Sequence, residues 1–187
     1  MSTLRVSSLL ALLLIPACAD DSPEPSDPPR ADGGAMLPVG ASDDCERGTI
    51  EDDLQAAPLS GSAVQDGALA KGQYLVATTY LRMQPNRRAL LIELTSPVIA
   101  DAAQREGLMG MTFGTSAACN SARTLTVWRD EEAMLDFVVG PTHARVMAQT
   151  SQISRGGSLG THWTGDETSA NWEAAADHLA EEDREGF

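Results

Sequence analysis

The sequence contains no apolar run long enough to cross a bilayer, which takes about 20 residues. Positive charge is also scarce. Lys and Arg number 13 against 27 Asp and Glu, for a formal net charge of −14, and that balance argues against nucleic acid as a partner. Cysteines number three. Neither Cys45 nor Cys119 has a second ligand at short spacing, so the chain lacks the pattern of a zinc site. There is no Gly-rich nucleotide loop and no spacing that gathers Ser, His and Asp into a nucleophilic triad.

The N-terminus supplies what is there. Arg5 is a short positive segment, and Val6 to Ile15 is an apolar segment of signal-peptide length. Ile15, Pro16, Ala17 and Cys18 resemble the lipobox of bacterial lipoproteins. That resemblance implies removal of residues 1–17 and acylation of Cys18, with palmitate-type chains that hold the protein on a membrane. The alternative is ordinary secretion after an A-x-A-like site. No Asp follows Cys18, which favours the outer over the inner membrane of a bacterial envelope.

Residues 18–66 read as an acidic, Pro- and Asp-rich tether. From Ala19 to Asp66 twelve carboxylates face only Arg30 and Arg47, and no apolar period is available to build a core. Such a coil spans roughly 40 Å. Its acidity is that of a solvated stalk, because carboxylates scattered among prolines have no coordination geometry. With Cys18 acylated, Cys45 and Cys119 remain in an oxidising compartment, either as a disulfide or as two unpaired thiols.

Residues 67–182 read as one domain, followed by a tail at 183–187. Tyr74 to Met83 is a strand, with Leu75, Ala77, Thr79, Leu81 and Met83 on one face. Arg87 to Arg105 is helical, with Ser96 and Pro97 predicting a kink or two short helices. Leu108 to Gly114 and Arg123 to Trp128 form a hairpin. Asp130 offers an N-cap to a helix carrying Met134, Leu135, Phe137 and Val138, Gly140 ends it, and Pro141 opens a second segment. Ser158 to Thr164 is a fourth strand, and Asn171 to Glu182 a last helix capped by Ser169. The order β-α-β-β-α-β predicts an α+β, ferredoxin-like sandwich: a four-stranded antiparallel sheet with helices on one face and an extra C-terminal helix. The bare second face then calls for a second copy, giving a dimeric α+β barrel.

Thr124 to Met147, preceded by Gly107-Leu-Met-Gly110, carries a strand ending in Val-Trp, an acidic cap, a helix with Ala133 and Phe137, then Pro141 and His143. This pattern resembles the antibiotic-biosynthesis-monooxygenase-type superfamily of dimeric α+β barrels, and within it the spheroidene-monooxygenase-like and related unknown-function domains. Ser158 to Leu179 is similar to the C-terminal end of the latter. The resemblance covers about residues 72–182. It implies a homodimer and a monooxygenase-like activity on a small hydrophobic molecule. Trp128 and His143 match recurring positions. The haem-degrading branch has an iron-binding His one turn beyond His143, where Met147 or a near neighbour stands here. It also has an Asn in the first strand, where this chain has Ala77, Thr78 and Thr79. No cofactor is therefore expected, and a haem held by another residue is the remaining possibility.

Four residues are ligand-binding candidates: Tyr80, Arg82, Trp128 and His143. If Leu75, Ala77, Leu81, Leu125 and Val127 face the helices, alternation sends Thr78, Tyr80, Arg82, Thr126 and Trp128 to the barrel lumen. Each has a bland reading beside it: Trp128 as packing, His143 as a satisfied cap, Arg82 as a surface cation. Met109, Met111 and Phe113 read as core or as a pocket's apolar wall. Two functions stand side by side: a lipid-anchored monooxygenase-like protein, and a non-catalytic envelope lipoprotein that binds a small hydrophobic ligand.

Overall fold

The computed structural model describes residues 45–182. The leader, Cys18, the first part of the tether and the tail at 183–187 lie outside the described residues. In chain order the elements begin with three two-residue strands, β1 (Gln55–Ala56), β2 (Val64–Gln65) and β3 (Ala68–Leu69). The sandwich follows: β4 (Gln73–Met83), α1 (Arg88–Ala103), β5 (Leu108–Ser116), β6 (Ser121–Trp128), α2 (Glu131–Val138), α3 (Pro141–Met147), α4 (Thr150–Ile153), β7 (Ser154–Asp166) and α5 (Trp172–Ala180). The sheet order is β1-β5-β6-β4-β7, and every pairing is antiparallel. Without β1, this is the ferredoxin-like order expected from the sequence.

Local chemistry sets most boundaries. Asp130 caps α2 by accepting from the Ala133 N–H at 2.8 Å, with Glu131 and Glu132 in the first turn where the helix dipole favours them. Pro141 opens α3. Asn171, rather than Ser169, caps α5, accepting from the Ala174 N–H at 2.8 Å. Of the two alternatives at Pro97, two short helices do not form: α1 is one helix of 16 residues with Pro97 inside it. The hydroxyls of Thr95 and Ser96 donate back to the carbonyls of Leu91 and Ile92 there.

Helices α1 to α4 cover one face of the sheet. Two apolar clusters form beneath them, one around Leu75, Leu108, Trp128, Met134 and Phe137, the other around Leu81, Met83, Leu91 and Ile153. The other face is not bare. Helix α5 lies on it, with Ala175 against Val76 and Leu125, and Leu179 against Tyr80 and Leu159. The segment from Cys45 to Ala70 covers the rest of that face.

That segment corrects the tether boundary at residue 66. From Cys45 onward the chain is built into the domain. Cys45 and Cys119 are joined in a disulfide. β1 pairs with the β5 edge. The Ala63 N–H donates to Met109 O, and Ser60 exchanges backbone bonds with Met111. Leu54, Leu59, Val64 and Leu69 lie within 4 Å of where side chains would stand at Gly110 and Gly114. β5 carries small residues on this face because the arm passes so close.

A buried ion pair fixes the arm further. Arg123 donates through Nε to Glu51 at 2.7 Å, with both side chains sealed from water. Its other nitrogens reach the carbonyls of Arg47 and Thr49 at 3.0 and 2.6 Å, and its guanidinium lies 4.4 Å from the Tyr80 ring centre. Ser121 donates to the second oxygen of Glu51. The buried part of this segment's polarity, at Glu51, is thus satisfied by bonds to Arg123 and Ser121.

Candidate functional site

The sequence-predicted lumen does not exist as drawn. Val76 pairs with Val127, and Leu75 with Trp128. Residues paired across an antiparallel ladder share a face. So Trp128, Thr126 and Thr124 stand with Leu75, Ala77 and Thr79 under the helices, while Leu125 and Val127 join Val76, Thr78 and Tyr80 beneath α5 and the arm. Alternation within each strand is as expected, but the phase between β4 and β6 is reversed.

The four candidates are consequently not brought together. Trp128 is 1% exposed, its ring 5.2 Å from Phe137. Tyr80 is buried on the opposite face with its hydroxyl directed at the Cys45 carbonyl. Burial pushes the Tyr80 phenol above its usual range, and the Glu51 carboxylate adds to this. Arg82 shares that second face, opposite Ser121. His143 sits in the first turn of α3, its ring 5.1 Å from Phe137 and its Nδ1 donating to Val138 O at 3.0 Å. Burial lowers its pKa, opposed by that hydrogen bond. The imidazole is therefore neutral near pH 7, with Nε2 left as an acceptor.

A different set of residues emerges at the centre of the helix-covered face. Ala77, Thr79, Thr124 and Thr126 are half-buried there, between the two apolar clusters. Directly behind them, Val76, Thr78, Leu125 and Val127 are at most 2% exposed. The Thr79 and Thr124 hydroxyls are 2.7 Å apart. Thr126 accepts from the Trp128 indole N–H at 2.9 Å. Met111 and Phe113 flank the strip on β5, next to Thr126 and Thr124, and Phe113 is 44% exposed. His162, at 46% side-chain exposure and 4.0 Å from Glu131, follows on β7.

This strip can do one thing chemically. In a hydroxyl pair one O–H is consumed by the partner, which leaves one donor and spare acceptor positions. Set between apolar walls, these suit a carbonyl or hydroxyl on an otherwise hydrophobic molecule. None of Ala77, Thr79, Thr124 and Thr126 carries a charge, and the Glu131 carboxylate stands to the side, 4.0 Å from His162. Among the described residues no group of three His, Cys, Asp or Glu side chains could hold a metal ion. The strip's sequence signal was Thr124 and Thr126 at period two on β6 with Thr79 on β4, but its meaning depended on the register.

Comparisons with known proteins place the chain only by its trace. No family model matches it, and no curated protein does. Among solved structures, a monooxygenase candidate from Fusobacterium nucleatum is similar at 15% identity and TM-score 0.48, over 62% of this chain and 50% of that one. This chain thus spans about half the length of that protein. An antibiotic biosynthesis monooxygenase is similar at 10% identity and TM-score 0.44, over 48% of this chain and 95% of that one. A Shewanella oneidensis protein is similar at 11% identity and TM-score 0.44, over 60% and 98%. Likeness at this level carries nothing about activity.

Proposed function

We propose that this protein is an envelope lipoprotein whose folded domain binds a small hydrophobic molecule bearing a carbonyl or hydroxyl group, held in the strip between the sheet and α1 to α3. The observation that supports this is the half-open Thr79–Thr124 hydroxyl pair between two apolar clusters, on a sheet whose other face is sealed. The ligand's oxygen would take the free hydroxyl donor while Met111 and Phe113 cover its apolar body. Homodimerisation through the second face is not part of this reading, since α5 and the arm occupy that surface. Anchoring would come from acylation of Cys18. Among the described residues no helix is long and apolar enough to cross a membrane.

A second reading, monooxygenase-like oxidation of the same molecule, is favoured by one arrangement. Thr126, Trp128, Phe137 and the neutral His143 form a continuous row leading away from the strip. His143 is the candidate base. No cofactor enters either reading.

Binding is tested by titrating a panel of quinols and polyenes into the wild type and a Thr79→Val variant. The variant should bind the oxygen-bearing members roughly tenfold more weakly and unfold at nearly the same temperature. Equal binding by both proteins would remove the strip from the reading. Oxygen consumption with any panel member would promote the second reading, and a Soret band in the purified protein would replace both with haem chemistry. For the anchor, Cys18→Ser should leave an unprocessed precursor without acyl label. Mature wild-type protein in the soluble fraction would refute it.

A further inference from the structure

An open cavity lies away from the hydroxyl strip, and the arm helps to build it. It encloses about 460 Å³ and is lined by Asp53, Gln55, Arg88, Thr115, Ala117 and Asn120, a volume within the range of small-molecule sites. Two walls carry opposite charges. Arg88, in the first turn of α1, donates only to neutral acceptors, Thr115 Oγ1 at 3.2 Å and Ser116 O at 3.5 Å. A guanidinium has five N–H donors, so most of its capacity is unspent. Asp53 accepts from the Ser116 hydroxyl and from the N–H groups of Ala117 and Ala118. Those bonds hold its carboxyl below the usual range, so it is ionised at neutral pH. They occupy three of about four lone-pair positions.

Arg88 and Asp53 make no ion pair with each other. Two opposite charges therefore border one open space without neutralising one another. Asn120 adds a polar atom. Its side-chain nitrogen donates to the carbonyls of Met83 and Gln84 at 2.9 and 3.3 Å, which leaves its oxygen as an acceptor. Gln55 likewise donates to the Asp53 carbonyl and keeps its oxygen. Asn120 also holds a positive φ of 47° in the β5–β6 turn, a conformation that Asn tolerates there. We propose that this cavity binds a small zwitterion of the α-amino-acid class, with its carboxylate on Arg88 and its ammonium on Asp53 and the neighbouring amide oxygens. A molecule with a single charge would satisfy one wall and leave the other.

The test is calorimetric titration of the full chain with L-alanine, L-serine and L-glutamine, alongside acetate and methylammonium as one-charge controls, with backbone amide shifts of Thr115, Ala117 and Asn120 as a positional readout. The amino acids should bind at millimolar concentrations and move those amides, and the controls should need at least roughly tenfold more. Arg88→Gln, an exposed change that breaks only two long hydrogen bonds, should weaken binding by about the same factor without altering the unfolding midpoint. Asp53→Asn is the second variant, read only if its thermal transition is intact. Absence of heat and of amide shifts, equal binding of acetate and L-alanine, or unchanged affinity in Arg88→Gln would each overturn the proposal. Because the probes and lining residues differ from those of the hydroxyl strip, failure here leaves that reading standing.

Discussion

The two faces of the sheet treat their hydroxyls and charges in opposite ways, although the Trp163 indole N–H beneath α5 is buried without a partner. Beneath α5 and the arm, Arg123, Glu51, Ser121, Ser116 and Thr78 are sealed from water, and each has a partner within the chain. Beneath α1 to α3, the threonines of the strip bond to one another and to Trp128, but solvent still reaches them. A sealed polar group with every bond made is fixing structure, since leaving one unmade would cost more than making it gains. A half-open hydroxyl pair has spare capacity and no such penalty. The sealed face is thus the stabilising one and the half-open face the one suited to a ligand. This inverts the expectation of a ligand-binding lumen on the face of Tyr80 and Arg82.

The largest effect that can break this comparison lies at the ion pair. Arg123→Ala leaves Glu51 buried without its cation and should cost about 3–5 kcal/mol, measured by urea unfolding. Replacing both partners, as in Glu51→Leu with Arg123→Met, should recover much of that loss. If Arg123→Ala costs under about 1 kcal/mol, as an exposed pair would, the second face is not sealed and a partner sheet could reach it. Sedimentation gives the companion measurement: a chain closed on itself needs no face-to-face dimer, whereas a stable dimer of the intact chain would require another surface.

Trp128→Ala comes next. A fully buried aromatic cut to Ala costs about 3–5 kcal/mol, and Phe137 would lose its ring neighbour. The variant should therefore be read by stability first. A Trp128→Ala protein that unfolds like wild type yet loses ligand binding would restore Trp128 as a pocket residue.

The disulfide ranks third. Cys45 and Cys119 are separated by 74 residues, and closing a loop of that length is worth at most about 4.5 kcal/mol in chain entropy, with less expected from a mutant whose unfolded state keeps some structure. The double change Cys45→Ala with Cys119→Ala should lower stability by about 2–4 kcal/mol. It should also raise amide exchange from Cys45 to Asp53 more than in β4 or β6. Uniform exchange throughout would mean that the arm and sheet unfold together.

Much of this architecture was legible in the sequence. The strand at Tyr74–Met83, the hairpin, the Asp130 cap, Pro141 at a helix start and the sheet class all follow from local chemistry. What was not legible has two physical causes. Alternation fixes faces within a strand, but only the pairing fixes which faces coincide, and a one-residue slip exchanges them all. The irregularity between Leu108 and Gly110 in the β5–β6 pairing shows how such a register can shift. The second cause is the arm. Glu51 and Asp53 read as two more carboxylates in an acidic stretch, because their partners, Arg123, Ser121 and Ser116, stand more than sixty residues away. Composition reports average polarity and cannot show that these two charges have a destination. The candidate site failed for the first reason: Tyr80 and Trp128 were joined by an assumed register.

The smallest expected effect concerns His143, and it separates a packing imidazole from one open to the strip. Burial against Phe137 lowers its folded-state pKa below the ordinary value of 6.5, partly offset by the bond to Val138 O. A base with a depressed folded pKa binds fewer protons folded than unfolded, so stability rises with pH through the window between the two values. The stability is fully present above pH 6.5, the unfolded value, and falls as pH drops from there toward the folded value. His143→Gln should flatten that part of the curve. Unfolding midpoints across mildly acidic pH measure this. If His143→Gln leaves the slope intact, the imidazole takes up its proton in the folded state as readily as in the unfolded one. It would then be reached by solvent, and a role as the base at the end of the Thr126–Trp128–Phe137 row would need its ordinary, not depressed, basicity.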